Sequence, residues 1–223
     1  MTGPVSFKAA CVQMRSSGDV AQNIRDASAL VREAAGQGAQ FIATPENTNI
    51  MAENSRAKLA ATFDEAHDPS LPAFSALAKD LNVWLLIGSL HIKVSDDKTA
   101  NRSFLFAPDG SVRARYDKIH LFDIDLPTGE SHRESATYQP GEFAVTVNLP
   151  FARLGLAICY DVRFPFLFNA LAKAEASVLT IPAAFTVPTG EAHWHVLQRA
   201  RAIETGSFVL SAAQGGKHEC GRS

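Results

Sequence analysis

Cysteine is scarce in these 223 residues, with three in all, at positions 11, 159 and 220. An odd, widely spaced set excludes a disulfide framework, and no Cys-x-x-Cys or paired Cys/His spacing offers a zinc site. Excess charge of one sign is also missing: 21 Lys and Arg against 23 Asp and Glu leave a formal net charge of −2. That balance gives no electrostatic footprint for nucleic acid or an anionic membrane surface. Long apolar runs are absent, and the N-terminus lacks a basic segment followed by an apolar one, so neither a membrane span nor a secretory leader is expected. The protein is accordingly expected in the cytoplasm. His193 and His195, two apart, would fall on different faces of a helix, and neither a metal nor another cofactor is expected.

What is present suits a globular domain. Hydrophobic residues make up 46% and charged residues 20%, enough for one full-sized core, and one domain is expected over 1–223. Residues 5–14 read as a strand. Asp19 then stands as a helix N-cap, with Gln22 at capping-box spacing. Ile24, Ala27, Val31 and Ala34 recur at helical period until Gly36 and Gly38 stop the helix. An apolar strand over 40–44 ends at Pro45-Glu46-Asn47. The pattern continues with a helix over 72–81, a strand over 83–92, and a hairpin over 104–116 that turns at Pro108-Asp109-Gly110. Residues 118–141 lack periodicity and read as a long loop, of the kind that usually carries function.

A strand over 153–159, a helix from Pro165 to about 173, a strand over 177–183, a helix over 192–205 and a strand over 208–213 complete the pattern. In the last helix Val196, Ala200 and Ile203 form one apolar stripe. Alternating strands and helices predict an α/β layered fold, and the hairpins make its sheet mixed. After the last strand, residues 215–223 bring no closing element; a natural tail and a fragment lacking C-terminal elements both fit.

Cys159 ends an apolar run and precedes Tyr160-Asp161-Val162-Arg163-Phe164-Pro165 and a helix. A strand-to-helix turn places a side chain near backbone N–H groups and the positive end of a helix, which would lower a thiol pKa and offer an oxyanion site. A buried structural thiol fits the same residue. Glu46 fits a helix-start or surface carboxylate when taken alone, and Lys118 an exposed strand-end lysine. Together the three make a nucleophile, a proton acceptor and a cation.

In order, Thr44-Pro45-Glu46-Asn47, Tyr116-Asp117-Lys118-Ile119-His120-Leu121-Phe122-Asp123 and Gly155-Leu156-Ala157-Ile158-Cys159-Tyr160-Asp161-Val162-Arg163-Phe164-Pro165 resemble the nitrilase, or carbon–nitrogen hydrolase, superfamily across essentially the whole chain. The resemblance implies an α-β-β-α sandwich with mixed sheets that assembles as a homodimer or higher homo-oligomer. It implies Glu46 as general base, Cys159 as nucleophile through a thioester, and Lys118 with the Tyr160 N–H as oxyanion stabilisers. Glu134 matches the second glutamate that positions substrate and Lys118. Asp161 and Arg163 would mainly form a structural pair bracing the turn after Cys159, with direct substrate contact as the alternative, and Asn47 would support Glu46 rather than touch substrate.

The segments 189–205 and 120–135 are similar to the Nit branch, which acts on small carboxylated amides such as deaminated glutathione or α-ketoglutaramate. Residues 211–218, Ser-Ala-Ala-Gln-Gly-Gly-Lys-His, lean toward the deaminated-glutathione type. Such a substrate needs a cationic or amide-rich pocket wall. Phe185, Thr186 and His193 are positional candidates for substrate contact, and His193 fits helix packing equally well. A carbamoylase, a non-catalytic binding relative and a thiol redox sensor are the alternatives. The last would want a resolving cysteine that neither Cys11 nor Cys220 obviously provides.

Overall fold

Helix α1 (Val20–Gly36) shows how closely local chemistry sets the elements: the Asp19 side chain accepts the Gln22 N–H at 2.9 Å as its N-cap, and Gly38 turns the chain away at φ +87°. The reciprocal half of a capping box is absent, because the Asp19 N–H donates to Ser17 Oγ and Gln22 Oε1 accepts from Arg25 instead. The computed structural model describes residues 6–125, 129 and 131–221. The expected strand start at Val5, residues 126–128 and 130 of the polar segment, and the final two residues lie outside them.

Among the described residues a five-stranded sheet runs in the order β1 (Ala9–Cys11), β2 (Phe41–Ala43), β3 (Trp84–Lys93), β4 (Thr99–Phe106), β5 (Val112–Asp117). The first three strands are parallel and the last two antiparallel. Alternation along β3 sorts its side chains between two cores. Leu85 and Ile87 face Val31 of α1 and Phe74 and Leu77 of α3 (Ser70–Leu81), whereas Leu86 joins Phe41, Leu105 and Tyr116 on the opposite face. A short helix, α2 (Ser55–Ala60), precedes α3.

That opposite face meets a four-stranded sheet ordered β11 (Phe208–Leu210), β10 (Val178–Thr180), β9 (Arg153–Leu156), β8 (Val145–Asn148). Leu154, Leu156 and Leu179 of this sheet share the core with Leu167, Phe168 and Leu171 of α4 (Pro165–Lys173). The layers are therefore helix, sheet, sheet, helix, with both sheets mixed as expected. Between the sheets, Gly88 of β3 lies so close to Thr44, Pro45 and Pro182 that a Cβ there would collide with all three.

Four expectations need correction. The long polar segment is not all loop: β6 (Asp123–Asp125) and β7 (Ser131–Arg133) form a hairpin, followed by a 3-10 turn over Glu134–Ala136. Arg133 donates to both carboxylate oxygens of Asp125 at 2.8 Å, so polar pairing holds the hairpin without apolar alternation. The strand expected over 153–159 stops at Leu156, and Cys159 opens a 3-10 turn, Cys159–Arg163. The buried Asp161 carboxylate draws the chain into that turn by accepting the Ile158 N–H at 2.8 Å. The last helix, α5 (Val187–Thr205), starts five residues early, with Pro188 suited to its first turn. Its Val196–Ile203 stripe faces outward, 67% and 81% exposed, while Trp194, Leu197 and the buried Arg201 turn inward.

Candidate active site

The turn after β2 is tied to β3 before any chemistry begins. Thr48 N donates to Ser89 O (2.9 Å), Ser89 N to Pro45 O (3.2 Å) and Asn47 N to Ser89 Oγ (2.9 Å). Asn47 takes a left-handed φ of +61°, a conformation asparagine tolerates better than most residues. The turn lifts Glu46 between the sheets, where it is 3% exposed. Glu46 Oε1 accepts from Asn101 Nδ2 (2.9 Å) and Lys118 Nζ (3.1 Å), and Oε2 accepts the Ala184 N–H at 2.8 Å.

Lys118 follows directly on β5 and is 1% exposed. Its backbone N–H donates to Asn101 O, and its ammonium donates to Glu46 and, at 2.8 Å, to Glu134 Oε2. Glu134 opens the 3-10 turn after β7, and the same oxygen accepts the Phe122 N–H at 2.8 Å. Burial would pull the lysine down, but Glu134, Glu46 and the Cys159 sulfur outweigh it and hold Lys118 well above the usual lysine range.

Cys159 lies against both groups. Its thiol meets the Glu46 carboxylate and the Ala184 backbone, its own N–H donates to Pro182 O at 2.9 Å, and its φ is +47°. The expected lowering of the thiol pKa is reversed. Burial first, then the negative charge of Glu46, push Cys159 well above the ordinary thiol range, against the smaller pull of Lys118 and Ala184. Glu46 is held below its ordinary value even though burial opposes this, because Lys118 and hydrogen bonds from Cys159, Lys118 and Asn101 prevail. The site thus sets a thiol against a carboxylate and an ammonium within one network of contacts.

A small, partly open cavity is lined by Glu46, Lys118, Glu134 and Cys159. Tyr160, Phe185, Thr186 and Asn47 also line it, so four residues expected near substrate or Glu46 are brought together there. Asn47 reaches the cavity wall itself, and its buried Oδ1 has no hydrogen-bond partner. His193 does not line the cavity; its Nδ1 accepts from Arg163 Nη1 at 3.1 Å.

Asp161 and Arg163 are not a pair. Asp161 accepts from Tyr116 Oη (2.7 Å), Ile158 N and the His120 backbone N (3.0 Å), whereas Arg163 lines the cavity, its guanidinium 5.5 Å from the Tyr160 ring centre and 5.7 Å from that of Phe185. Arg163 therefore adds a second cation, besides Lys118, to the cavity wall, in line with the alternative reading of this residue rather than with a structural pair. Asn101, Ala184, Phe122 and Thr189 were missed. Asn101 is 1% exposed but stands among Thr99, Arg102 and Ser103 in β4, so no break in an apolar pattern marks it.

Among the described residues no group of three His, Cys, Asp or Glu side chains could hold a metal, and no helix is long and apolar enough to cross a membrane. The chain matches the carbon–nitrogen hydrolase family over residues 8–223. It is 42% identical over 205 residues to the deaminated glutathione amidase of Yersinia enterocolitica, covering 88% of this chain and 71% of that protein. Over 213 residues it is 36% identical to the omega-amidase NIT2 of Homo sapiens, covering 93% and 74%. Among solved structures, the C. elegans NitFhit protein superposes with a TM-score of 0.89 at 35% identity, covering 97% of this chain; the chain spans about half, 53%, of that protein's.

Proposed function

The chain belongs to the carbon–nitrogen hydrolase family, and from that premise we propose that it is a cysteine-dependent amidase that releases ammonia from a small, linear amide bearing a carboxylate. The observation that carries this reading is the hydrogen-bonded cluster of Glu46, Lys118 and Glu134 that lines one cavity together with Cys159. Glu46 takes the thiol proton as the sulfur attacks the amide carbon. Negative charge then gathers on the former carbonyl oxygen, where the Lys118 ammonium and the Tyr160 N–H meet it. The protonated Glu46 passes its proton to the departing nitrogen, ammonia leaves, and a thioester remains. Glu46, again a carboxylate, deprotonates water, which hydrolyses the thioester and restores the thiol. Glu134 keeps Lys118 charged and aimed.

Arg163 faces the far end of the substrate, where a guanidinium is suited to a carboxylate. The substrate is most like deaminated glutathione, a reading supported by 42% identity to a protein of that name; an omega-amide like those of the second relative is the alternative. The chain is read as one domain of this family acting in the cytoplasm without a cofactor. It is also read as self-associating, which the exposed Val196, Ile203, Phe166 and Phe208 support.

Ammonia release from a panel of amides tests the reading. Cys159→Ala should abolish release, and equal rates from the variant and the wild type would sink the amidase. Arg163→Met should raise KM for carboxylated amides by roughly tenfold or more and leave neutral amides unaffected, as for a lost charged contact.

A further inference from the structure

Gln214, just beyond β11, takes no part in the chemistry above, yet it joins the Ala183 strand end, the Ser16 segment and the turn that carries Glu46. Its backbone N–H donates to Ala183 O at 2.9 Å, next to the Ala184 N–H that holds Glu46 Oε2. Its side-chain Oε1 accepts the Ser16 N–H at 3.0 Å. Its Nε2 donates to Ser16 Oγ (2.7 Å), to Glu46 O (2.9 Å) and, at longer range, to Asn47 O (3.4 Å). Ser16 N can only donate and Glu46 O can only accept, so the carboxamide has one workable orientation. The Pro45 and Thr48 ends of the Glu46 turn are anchored to Ser89 of β3, while the carbonyls of Glu46 and Asn47 at its tip point to Gln214.

We propose that Gln214 is a positioning residue for Glu46, clamping the tip of its turn to the Ala183–Ala184 strand end so that the carboxylate stays in register with the Cys159 thiol. The proposal rests on the reading of Glu46 as general base. A carboxamide is required because the clamp needs an acceptor and a donor side by side. A carboxylate of the same shape would set an oxygen against two carbonyls, and a thioether would leave all four partners unmet.

The test compares Gln214→Glu and Gln214→Met with the wild type in two assays: steady-state ammonia release, and alkylation of Cys159 by iodoacetamide across pH. Alkylation is followed at the Cys159 peptide by mass spectrometry, since Cys11 and Cys220 are also free thiols. Turnover is expressed per folded protein, the folded fraction being taken from the amplitude of the thermal unfolding transition in circular dichroism. Both variants should lose at least ~10-fold in kcat, in keeping with the cost of misplacing a catalytic group, with KM within about twofold of wild type.

Alkylation at neutral pH should fall by a similar factor, with a pH profile that climbs toward that of an unassisted thiol. Unchanged alkylation, or a loss confined to KM, would overturn the proposal. So would thermal destabilisation with turnover per folded protein intact, or failure of both variants to fold, since either assigns Gln214 to folding alone. A wild-type protein that releases no ammonia would defeat the amidase reading while leaving the alkylation comparison to decide on the clamp.

Discussion

Replacing Lys118 by methionine separates the energetic role of the ion cluster from its packing, because the two side chains are similar in length. Lys118 is 1% exposed and bonded to two carboxylates, of which Glu46 is buried and Glu134 about a fifth exposed. Glu134 can turn to water when the ammonium is lost; Glu46 cannot. It would keep its bonds from Asn101 and Ala184 but lose the charge that holds it ionised. Breaking a buried pair by removing one partner costs about 3–5 kcal/mol, which for a chain of this size lowers Tm by roughly 10 °C.

The sign with pH follows from linkage. In the wild type, Glu46 is depressed, so its contribution is present above the unfolded carboxylate value and is lost only as pH falls through the folded one. Lys118 is raised, so its contribution is complete below the unfolded lysine value and is lost as pH rises through the folded one. At neutral pH both are fully present. In Lys118→Met the burial of Glu46 goes unopposed by the ammonium and its folded pKa rises. The variant therefore gains stability as acid protonates it, and its deficit is largest at neutral pH and shrinks toward pH 5. Thermal unfolding followed by circular dichroism between pH 5 and 8 measures this. A deficit below about 1 kcal/mol, or one that does not change with pH, would refute the argument.

Activity should keep a flat pH profile across the neutral range. Glu46 is depressed and must be ionised to act, so the acid limb of kcat/KM should fall below the ordinary carboxylate range; a limb centred above about pH 5 would remove Glu46 as the base. Gly88→Ala should abolish folding or lower Tm by more than 10 °C, on the order of the cost of forcing a methyl into packed backbone, because its Cβ would strike Thr44, Pro45 and Pro182; a variant melting like the wild type would contradict the close approach. Val196→Lys with Ile203→Lys should convert an oligomer to monomer in sedimentation velocity while leaving the fold unaltered, and an unchanged sedimentation coefficient would show that the α5 stripe is not the contact.

The strongly local features could be read from the chain because each is written within a few residues: the Asp19 cap, the hairpin at 108–110, Pro165 opening α4, and the three motifs around Glu46, Lys118 and Cys159. What could not be read depends on segments meeting across the fold. Asn101 acquires its task only because β4 runs beside β3 and opposite the Glu46 turn, and Arg163 only because the 3-10 turn aims it at the cavity. The α5 stripe has the same apolar spacing whether it faces a core or a surface, so periodicity could not choose. The thiol pKa ran opposite to expectation because proximity to a helix start is a small effect beside full burial and an adjacent carboxylate.

The left-handed backbone at Cys159 has a bearing on how such a site can evolve. A residue with a Cβ in that conformation costs the fold about 1–2 kcal/mol relative to glycine. Glycine at position 159 would relieve that backbone cost at the expense of the buried packing of the side chain, and would leave a protein without the thiol. On the proposed reading of Cys159 as the nucleophile, the sulfur sits where the backbone's preference for glycine and the need for a thiol diverge, so loss of the chemistry would leave the backbone little reason to retain a cysteine there.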